Sequence, residues 1–217
     1  MIDILIEYHY LFIQGFLTTI KLLLLIMVIG IPFGVLLGVL GGRYSKSVSL
    51  GVSGLKFFTK IIPVLVLLFW LHFPLQSILG IVVDPFWTTV LALSFVNIVA
   101  VAFIVQSELK LLPVAYREAG VTLGMTKWQI VRYIELPILM KRVLPSVALN
   151  QAVMLEYTLF ASLISVPEIF RVSQTINSMI YDPVAIYSLL VLFFVIILAP
   201  LHIFVTLYKK NNVIQYD

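Results

Sequence analysis

Long apolar runs alternate with short polar stretches along this 217-residue chain, and five of the runs are long enough to cross a bilayer. They extend from about Gly15 to Leu40, Leu50 to Phe73, Phe86 to Ile104, Val143 to Val166 and Ala185 to Leu207. A spanning helix needs roughly 20 mainly apolar residues, since each residue advances about 1.5 Å through a hydrocarbon core about 30 Å thick. The second and fourth runs are less clean, because Lys56, Lys60 and Glu156 interrupt them. The pattern predicts an all-α integral membrane protein with five transmembrane helices. It leaves no soluble domain, linker or internal repeat, so residues 1–217 read as one transmembrane domain.

Between the third and fourth runs the pattern changes. The stretch REAGVTLGMTKWQIVRYIELP, residues 117–137, mixes charge with helix-forming residues. Pro113 suits the first turn of a helix that would run through Glu118 to Leu123. Gly124 supplies the left-handed residue that ends such a helix. Thr126 and Gln129 have the spacing of a capping box for a second helix. Trp128, Val131 and Ile134 then fall on one face, with Lys127, Arg132 and Glu135 elsewhere, and Pro137 marks the expected end. The prediction is helix, tight turn, helix. On these residues alone, a surface-lying connector that anchors two spans accounts for the segment as well as a functional element does.

Composition agrees with the pattern. Hydrophobic residues make up 62% of the chain, charged residues 11%, and mean hydropathy is +1.13. A soluble domain carries about a quarter charged residues, so this chain cannot cover a water-facing surface. The net charge of +4 reads as a membrane-orientation signal and not as nucleic-acid binding. Arg43 and Lys46 follow the first run, Lys110, Arg117, Lys127, Arg132, Lys141 and Arg142 the third, and Lys209 and Lys210 the fifth. The segment before the first run and the stretch from Pro74 to Pro85 have no Lys or Arg, and only Arg171 follows the fourth run. By the positive-inside rule the N-terminus, with Asp3, is outside, and the charged loop and the C-terminus, with Asp217, are cytoplasmic. The acidic start, MIDILIEYHYLF, argues against a cleaved signal peptide, and the absence of Cys excludes disulfides.

The residues Glu118-Ala119-Gly120, then Gly124, then Ile134-Glu135-Leu136-Pro137 resemble the EAA loop of ABC-transporter permease subunits. That motif reads Glu-Ala-Ala, three residues, Gly, nine residues, Ile, any residue, Leu-Pro. Every spacing fits, with Gly120 in place of the second Ala. Gly15-Phe16-Leu17-Thr18-Thr19-Ile20-Lys21-Leu22 resembles the first-span start of the polar amino acid uptake branch, the histidine and glutamine type. The resemblance covers nearly the whole chain. It implies a permease of a bacterial inner-membrane importer whose loop docks on a separate ATPase. ATP and Mg²⁺ would sit on that ATPase, with no cofactor in this chain. It also implies a second permease subunit, identical or not, and an external substrate-binding protein. Glu118, Ala119, Gly120, Gly124, Met125, Trp128, Ile134, Leu136 and Pro137 become the candidate coupling residues.

The family's substrate-facing motifs are altered. Phe103 and Gln106 stand where the third span usually has Glu and Arg, and Glu156-Tyr157-Thr158-Leu159 where the fourth has Lys-Asp-Thr-Ser. In the second-span motif Phe-Phe-Arg-Gly-Thr-Pro, aligned with Phe58 to Pro63, Lys60 replaces Arg and Ile61-Ile62 replace Gly-Thr. The chain either handles a different solute or forms the non-binding half of a heterodimer; a cargo-less membrane anchor is the third reading. Lys60, Asn97, Gln106, Glu156, Tyr157 and Thr158 are the candidate pathway residues. Asn97 fits an interhelical hydrogen bond as well as a substrate contact. Glu156 falls near the midplane, where a charge is normally paired; Lys60, a cationic solute, a partner subunit's charge, or protonation would each satisfy it. The Gly30 to Gly38 spacing of small residues suggests helix packing. No Gly-rich phosphate loop precedes a Lys-Ser or Lys-Thr, so this chain is not expected to hydrolyse ATP. No metal-ligand spacing or nucleophile–base pair is present.

Overall fold

The computed structural model describes residues 2–212, with side chains described for residues 3–210. Asp217, expected on the cytoplasmic side, lies outside the described residues. All regular elements among the described residues are helical. Four helices are long and apolar enough to cross a membrane, and a bent helix pair brings the number of spans to as many as five.

Helix α1 (Ile2–Val39) continues through a π-helical turn (Leu40–Tyr44). The first span was expected to start near Gly15, but the helix starts at Ile2. Its N-terminal turns carry Ile4, Tyr8, Leu11 and Phe12, which a later helix covers. Hydropathy marks the stretch that lipid needs and misses turns that another helix buries.

The second apolar run is not one helix. Helix α2 (Lys46–Ile61) ends at Ile62, whose backbone is extended (φ −84, ψ 115), and α3 (Val64–His72) begins after Pro63. The segments Lys46–Ile61 and Val64–Leu79 meet at 94°. Proline lacks the N–H needed to continue a helix and drives the preceding residue out of helical geometry, so the break falls at Ile62. Short helix α4 (Pro74–Leu79) closes on Gly80 in the left-handed region (φ 64). Helix α5 (Pro85–Lys110) starts from Asp84, whose Oδ1 accepts from Phe86 N at 2.8 Å. Helices α6 (Val114–Thr122) and α7 (Lys127–Gln129) lead through a second π-helical turn (Ile130–Glu135) into α8 (Leu136–Thr158), which tightens into 3₁₀ geometry over Leu159–Ile164. Helices α9 (Ile169–Ile180) and α10 (Pro183–Asn212) complete the fold.

Helix α5 is the central element, and α1 runs along it on a seam of glycines. A Cβ at Gly30 would lie 2.3 Å from Asn97 Nδ2; at Gly34 and at Gly38 it would lie 2.6 Å from Val101 Cβ and Val105 Cβ respectively. Both helices step by four residues, so each glycine opens the groove that one α5 side chain fills. Lipid gives two apolar helices no hydrophobic reason to associate, and close backbone approach supplies the attraction instead.

Helix α9 was not anticipated from the sequence. Val172 and Ile176 line its inner face against Tyr8, Leu11 and Phe12 of α1. Ile169 N donates to Thr19 Oγ1 at 3.1 Å, tying the helix start to α1. Glu168 is fully buried and caps the helix, accepting from Arg171 N at 2.7 Å and Phe170 N at 2.9 Å. Burial pushes its carboxyl up to about 7, against the opposing pull of those two donors.

Two outcomes follow from this packing. Gly34→Val places a branched side chain against Val101 and the Ile98 carbonyl, and overpacking of this kind costs about 1–3 kcal/mol. Detergent-solubilised Gly34→Val is expected to unfold at a lower temperature, while Gly51→Ala, which meets nothing within 4 Å and lies inside α2, does not lower it. The second outcome concerns Glu168. The folded state holds its proton to higher pH than the unfolded chain does, so its contribution is fullest in acid and is lost as pH rises from about 4.5 through about 7. Unfolding followed across that interval is expected to show a loss of stability that Glu168→Gln removes; an identical pH profile in the variant would contradict the assignment.

Candidate functional site: a helical hairpin tied to the first helix

The segment after α5 is a hairpin of two helical limbs. Pro113 (φ −60, ψ 130) precedes the first turn of α6. At the other end Gly124 takes φ 73, while Gly124 N and Met125 N donate to Val121 O at 2.9 Å and Gly120 O at 3.0 Å. These bonds satisfy carbonyls that a helix end otherwise strands, and only glycine adopts that φ without strain. The second limb opens on a reciprocal cap: Gln129 N donates to Thr126 Oγ1 at 3.3 Å, and Thr126 N to Gln129 Oε1 at 2.8 Å.

That limb does not end at Pro137, contrary to the sequence expectation. It passes through the π-helical turn into α8, with Leu136 N donating to Val131 O five residues back. A π turn widens the helix just where the proline ring would otherwise press on the preceding turn, and Pro137 sits in the first turn of α8.

Gly120 is buried where the limbs touch. A Cβ there would lie 2.7 Å from Ile130 Cγ1 and 3.2 Å from Ile134 Cδ1, which gives the departure from the motif's alanine a physical reason. Ile130 and Glu135 of the second limb are buried; Met125, Val131 and Ile134 are half-buried. Glu118, Ala119, Leu136 and Pro137 are exposed. So are Leu123 and Trp128, at 78% and 67%, an unusual apolar display for a charged loop.

The sequence pattern places Glu135 off the apolar face of the second limb, and the structure buries it at the base of the hairpin. Its Oε2 pairs with Arg43 at the end of the first helix, and its Oε1 with Arg117 of α6 at 2.9 Å (Nη2) and 3.0 Å (Nε). One carboxylate therefore links α1, α6 and the start of α8. The partners are 92 and 18 residues away, so no local signal announces them.

The structure does not gather the candidate pathway residues into one site. Asn97 is fully buried: its Nδ2 donates to Gln151 Oε1 at 3.0 Å and Ile26 O at 3.2 Å, and its Oδ1 accepts from Asn150 Nδ2 at 2.8 Å and Gln151 Nε2 at 3.2 Å. This network joins α1, α5 and α8. Gln106 is buried towards α2, donating to Ser53 Oγ at 3.3 Å. Thr158 Oγ1 bonds back to Leu155 O at 2.6 Å, and Tyr157 stacks on Phe160 with ring centroids 5.8 Å apart. Lys60 and Glu156 are both exposed. No ion pair joins them among the described residues, so the internal Lys60–Glu156 pair considered from the sequence does not form. The bend at Pro63 explains why: two positions at matching depth in two straight spans do not stay matched when one span turns by 94°.

Four to five candidate spans with a protruding, ion-paired hairpin describe a multi-pass membrane protein. The chain belongs to the family described as binding-protein-dependent transport system inner membrane components, which matches residues 30–211. It is thus a multi-pass component of the bacterial inner membrane. It is 27% identical over 188 residues to the glutamine transport system permease protein GlnP of Escherichia coli (strain K12), across 82% of this chain and 83% of that one. The histidine/lysine/arginine/ornithine transport system permease protein HisQ of the same strain is 27% identical over 185 residues, across 78% of this chain and 79% of that one. Among solved structures, an amino acid ABC transporter with histidines is similar with a TM-score of 0.83 at 24% identity, covering 95% of this chain and 96% of that one. The inward-facing MetNI methionine ABC transporter is similar with a TM-score of 0.66 at 21% identity, covering 93% and 98%. Both support the fold.

The Glu135 node orders three substitutions. Arg43 is only 23% exposed and Arg117 is 59% exposed, so Arg43→Ala is expected to cost roughly 1.5–3 kcal/mol and Arg117→Ala under about 1 kcal/mol. Glu135→Ala, which removes both pairs, is expected to cost at least as much as Arg43→Ala. Thermal unfolding of the purified variants checks the order; a larger effect from Arg117→Ala than from Arg43→Ala would refute it.

Proposed function

We propose that this chain is the permease subunit of an ATP-driven importer for amino acids or a related small polar solute. It works by alternating access, with residues 1–217 acting as one transmembrane unit. The N-terminus is external and the hairpin cytoplasmic. A second permease subunit completes the pathway, an external binding protein delivers the solute, and a separate ATPase binds ATP and Mg²⁺. The ATPase hydrolyses ATP, and this chain carries no catalytic group.

One observation carries the reading above the others: the hairpin is rigid inside and sticky outside. Gly120 against Ile130 locks its limbs, the reciprocal Thr126–Gln129 cap fixes the second limb, and Glu135 ties its base to α1. Its tip presents Leu123 and Trp128 to solvent. A docking element needs both properties, since a soft connector would absorb an imposed displacement and a polar one would not seat in a groove. In the proposed cycle the ATPase pair closes on ATP, the docked hairpin moves as a body, and the spans follow. The glutamine and histidine/lysine/arginine/ornithine permeases among the relatives favour an amino-acid cargo. Lys60 and Glu156, exposed on elements that belong to the membrane, are the side chains best suited to meet cargo or the second subunit.

Gly124→Val tests the reading. Valine strains at φ 73, whereas the site is open, with nothing within 4 Å of a Cβ. The variant is therefore expected to insert at wild-type abundance and lose most solute uptake, together with stimulation of the ATPase by the binding protein. Full uptake by a correctly inserted Gly124→Val protein would refute the proposal.

A further inference from the structure

At the hairpin end of the bundle, α5, α8 and α10 diverge and leave an open cleft of about 680 Å³. Arg142, Lys209 and Lys210 line it, with the Ser146 hydroxyl and one opposing carboxylate, Glu108. Ser146 stands four residues after Arg142 on α8, so both point to the same side of that helix. Arg142 has only long protein contacts: its Nη1 donates to Leu111 O at 3.4 Å, and its Nε lies 3.9 Å from Glu108. Both contacts are long, so most of the guanidinium donors are not committed to protein partners. Two lysines at the end of α10 reach the same space from the opposite wall. Pro145 and Leu111 add apolar surface beside the cations.

The geometry points to a binding site for the phosphate headgroup of an anionic phospholipid. Three cations against one carboxylate leave an excess of two positive charges, which selects an anion. The location selects its carrier. The cleft lies where apolar spans give way to charged loop residues, and its walls combine cations with apolar carbon, so an amphiphile satisfies both and a free ion only one. Basic clefts between spans at the water boundary hold anionic headgroups by the same combination. The arginine supplies a planar fork for two phosphate oxygens, Ser146 a further donor, and the lysines mobile point charges. A bound headgroup would bridge α8, which continues from the hairpin, to α10. Lipid would then brace the span that follows the docking element against the last span. The site rests on the fold alone; the proposed topology only assigns it to the cytoplasmic leaflet.

Native mass spectrometry of the full chain in detergent tests the site, with phosphatidylglycerol and phosphatidylcholine of identical acyl chains as probes. Wild type is expected to retain phosphatidylglycerol in preference to phosphatidylcholine. Lys209→Gln/Lys210→Gln is expected to weaken phosphatidylglycerol binding about thirtyfold, since each lysine near an anionic headgroup contributes close to a factor of five, and to leave phosphatidylcholine unchanged. Ser146→Ala, which keeps every charge, is expected to weaken it by a smaller factor. Equal retention of the two lipids, or unchanged retention in the double variant, would overturn the proposal. Inorganic phosphate distinguishes the source: if millimolar phosphate displaces phosphatidylglycerol completely, the cleft is a soluble-anion site and the lipid assignment fails. If the double variant keeps its lipid and instead loses a co-purifying ATPase, the lysines belong to a protein interface and the assignment also fails. Neither result bears on uptake by the Gly124→Val protein, so the site and the transport function stand or fall separately.

Discussion

The contact between α1 and α5 is the constraint on which the remainder of the fold rests. Gly30, Gly34 and Gly38 bare a strip of backbone along α1, and the missing side chains let Asn97, Val101 and Val105 of α5 sit against it. In lipid the association depends on this close packing, because tails solvate an apolar helix as well as another helix does and leave no hydrophobic gain. Close approach also fixes what lies deeper. Asn97 reaches the Ile26 carbonyl only because α1 is so near, and the same amide then exchanges hydrogen bonds with Gln151 of α8. Three helices are thereby held at one depth by polar groups that lipid cannot satisfy.

The seam is also tied to the hairpin. Arg43 stands in the last turn of the first helix, and Glu135 anchors both it and Arg117. The half-buried Arg43–Glu135 pair is costly to desolvate, and two arginines sharing one carboxylate offset that cost with several charge-assisted hydrogen bonds. In the proposed cycle a displacement at the hairpin tip would have two routes into the bundle: along the continuous helix into α8, and across the carboxylate into α1. A proline-ended helix, as the sequence suggested, would have offered only the second. The π turn at Ile130–Glu135 keeps the first route open while accommodating Pro137.

The proline positions separate what is local from what is not. Pro63 breaks the second apolar run at 94°, whereas the chain stays helical through Pro32, Pro145 and Pro200. The residue type is identical, and the outcome depends on whether neighbouring helices, or a π turn in the case of Pro137, compensate the lost bond. Helix α9 is a different case. Val172 and Ile176, with Glu168 at the cap position, form an amphipathic pattern legible in the sequence, in a segment too short and polar to be a span.

By itself the sequence determined the class, the apolar spans, and the turn chemistry of the hairpin. Those features depend on interactions within a few residues: lipid demands runs of apolar side chains, Gly124 alone tolerates its φ, and Thr126 and Gln129 cap each other across one helical turn. The EAA-like spacing was legible for the same reason. Only the tertiary structure decided that Gly120 is where the limbs meet, that Glu135 faces inward to arginines from two other segments, and that Asn97 serves the packing of three helices. It also decided that Lys60 and Glu156 never meet. Each of these depends on which distant segment occupies the space beside a residue, and no periodicity along one helix encodes its neighbour across the bundle.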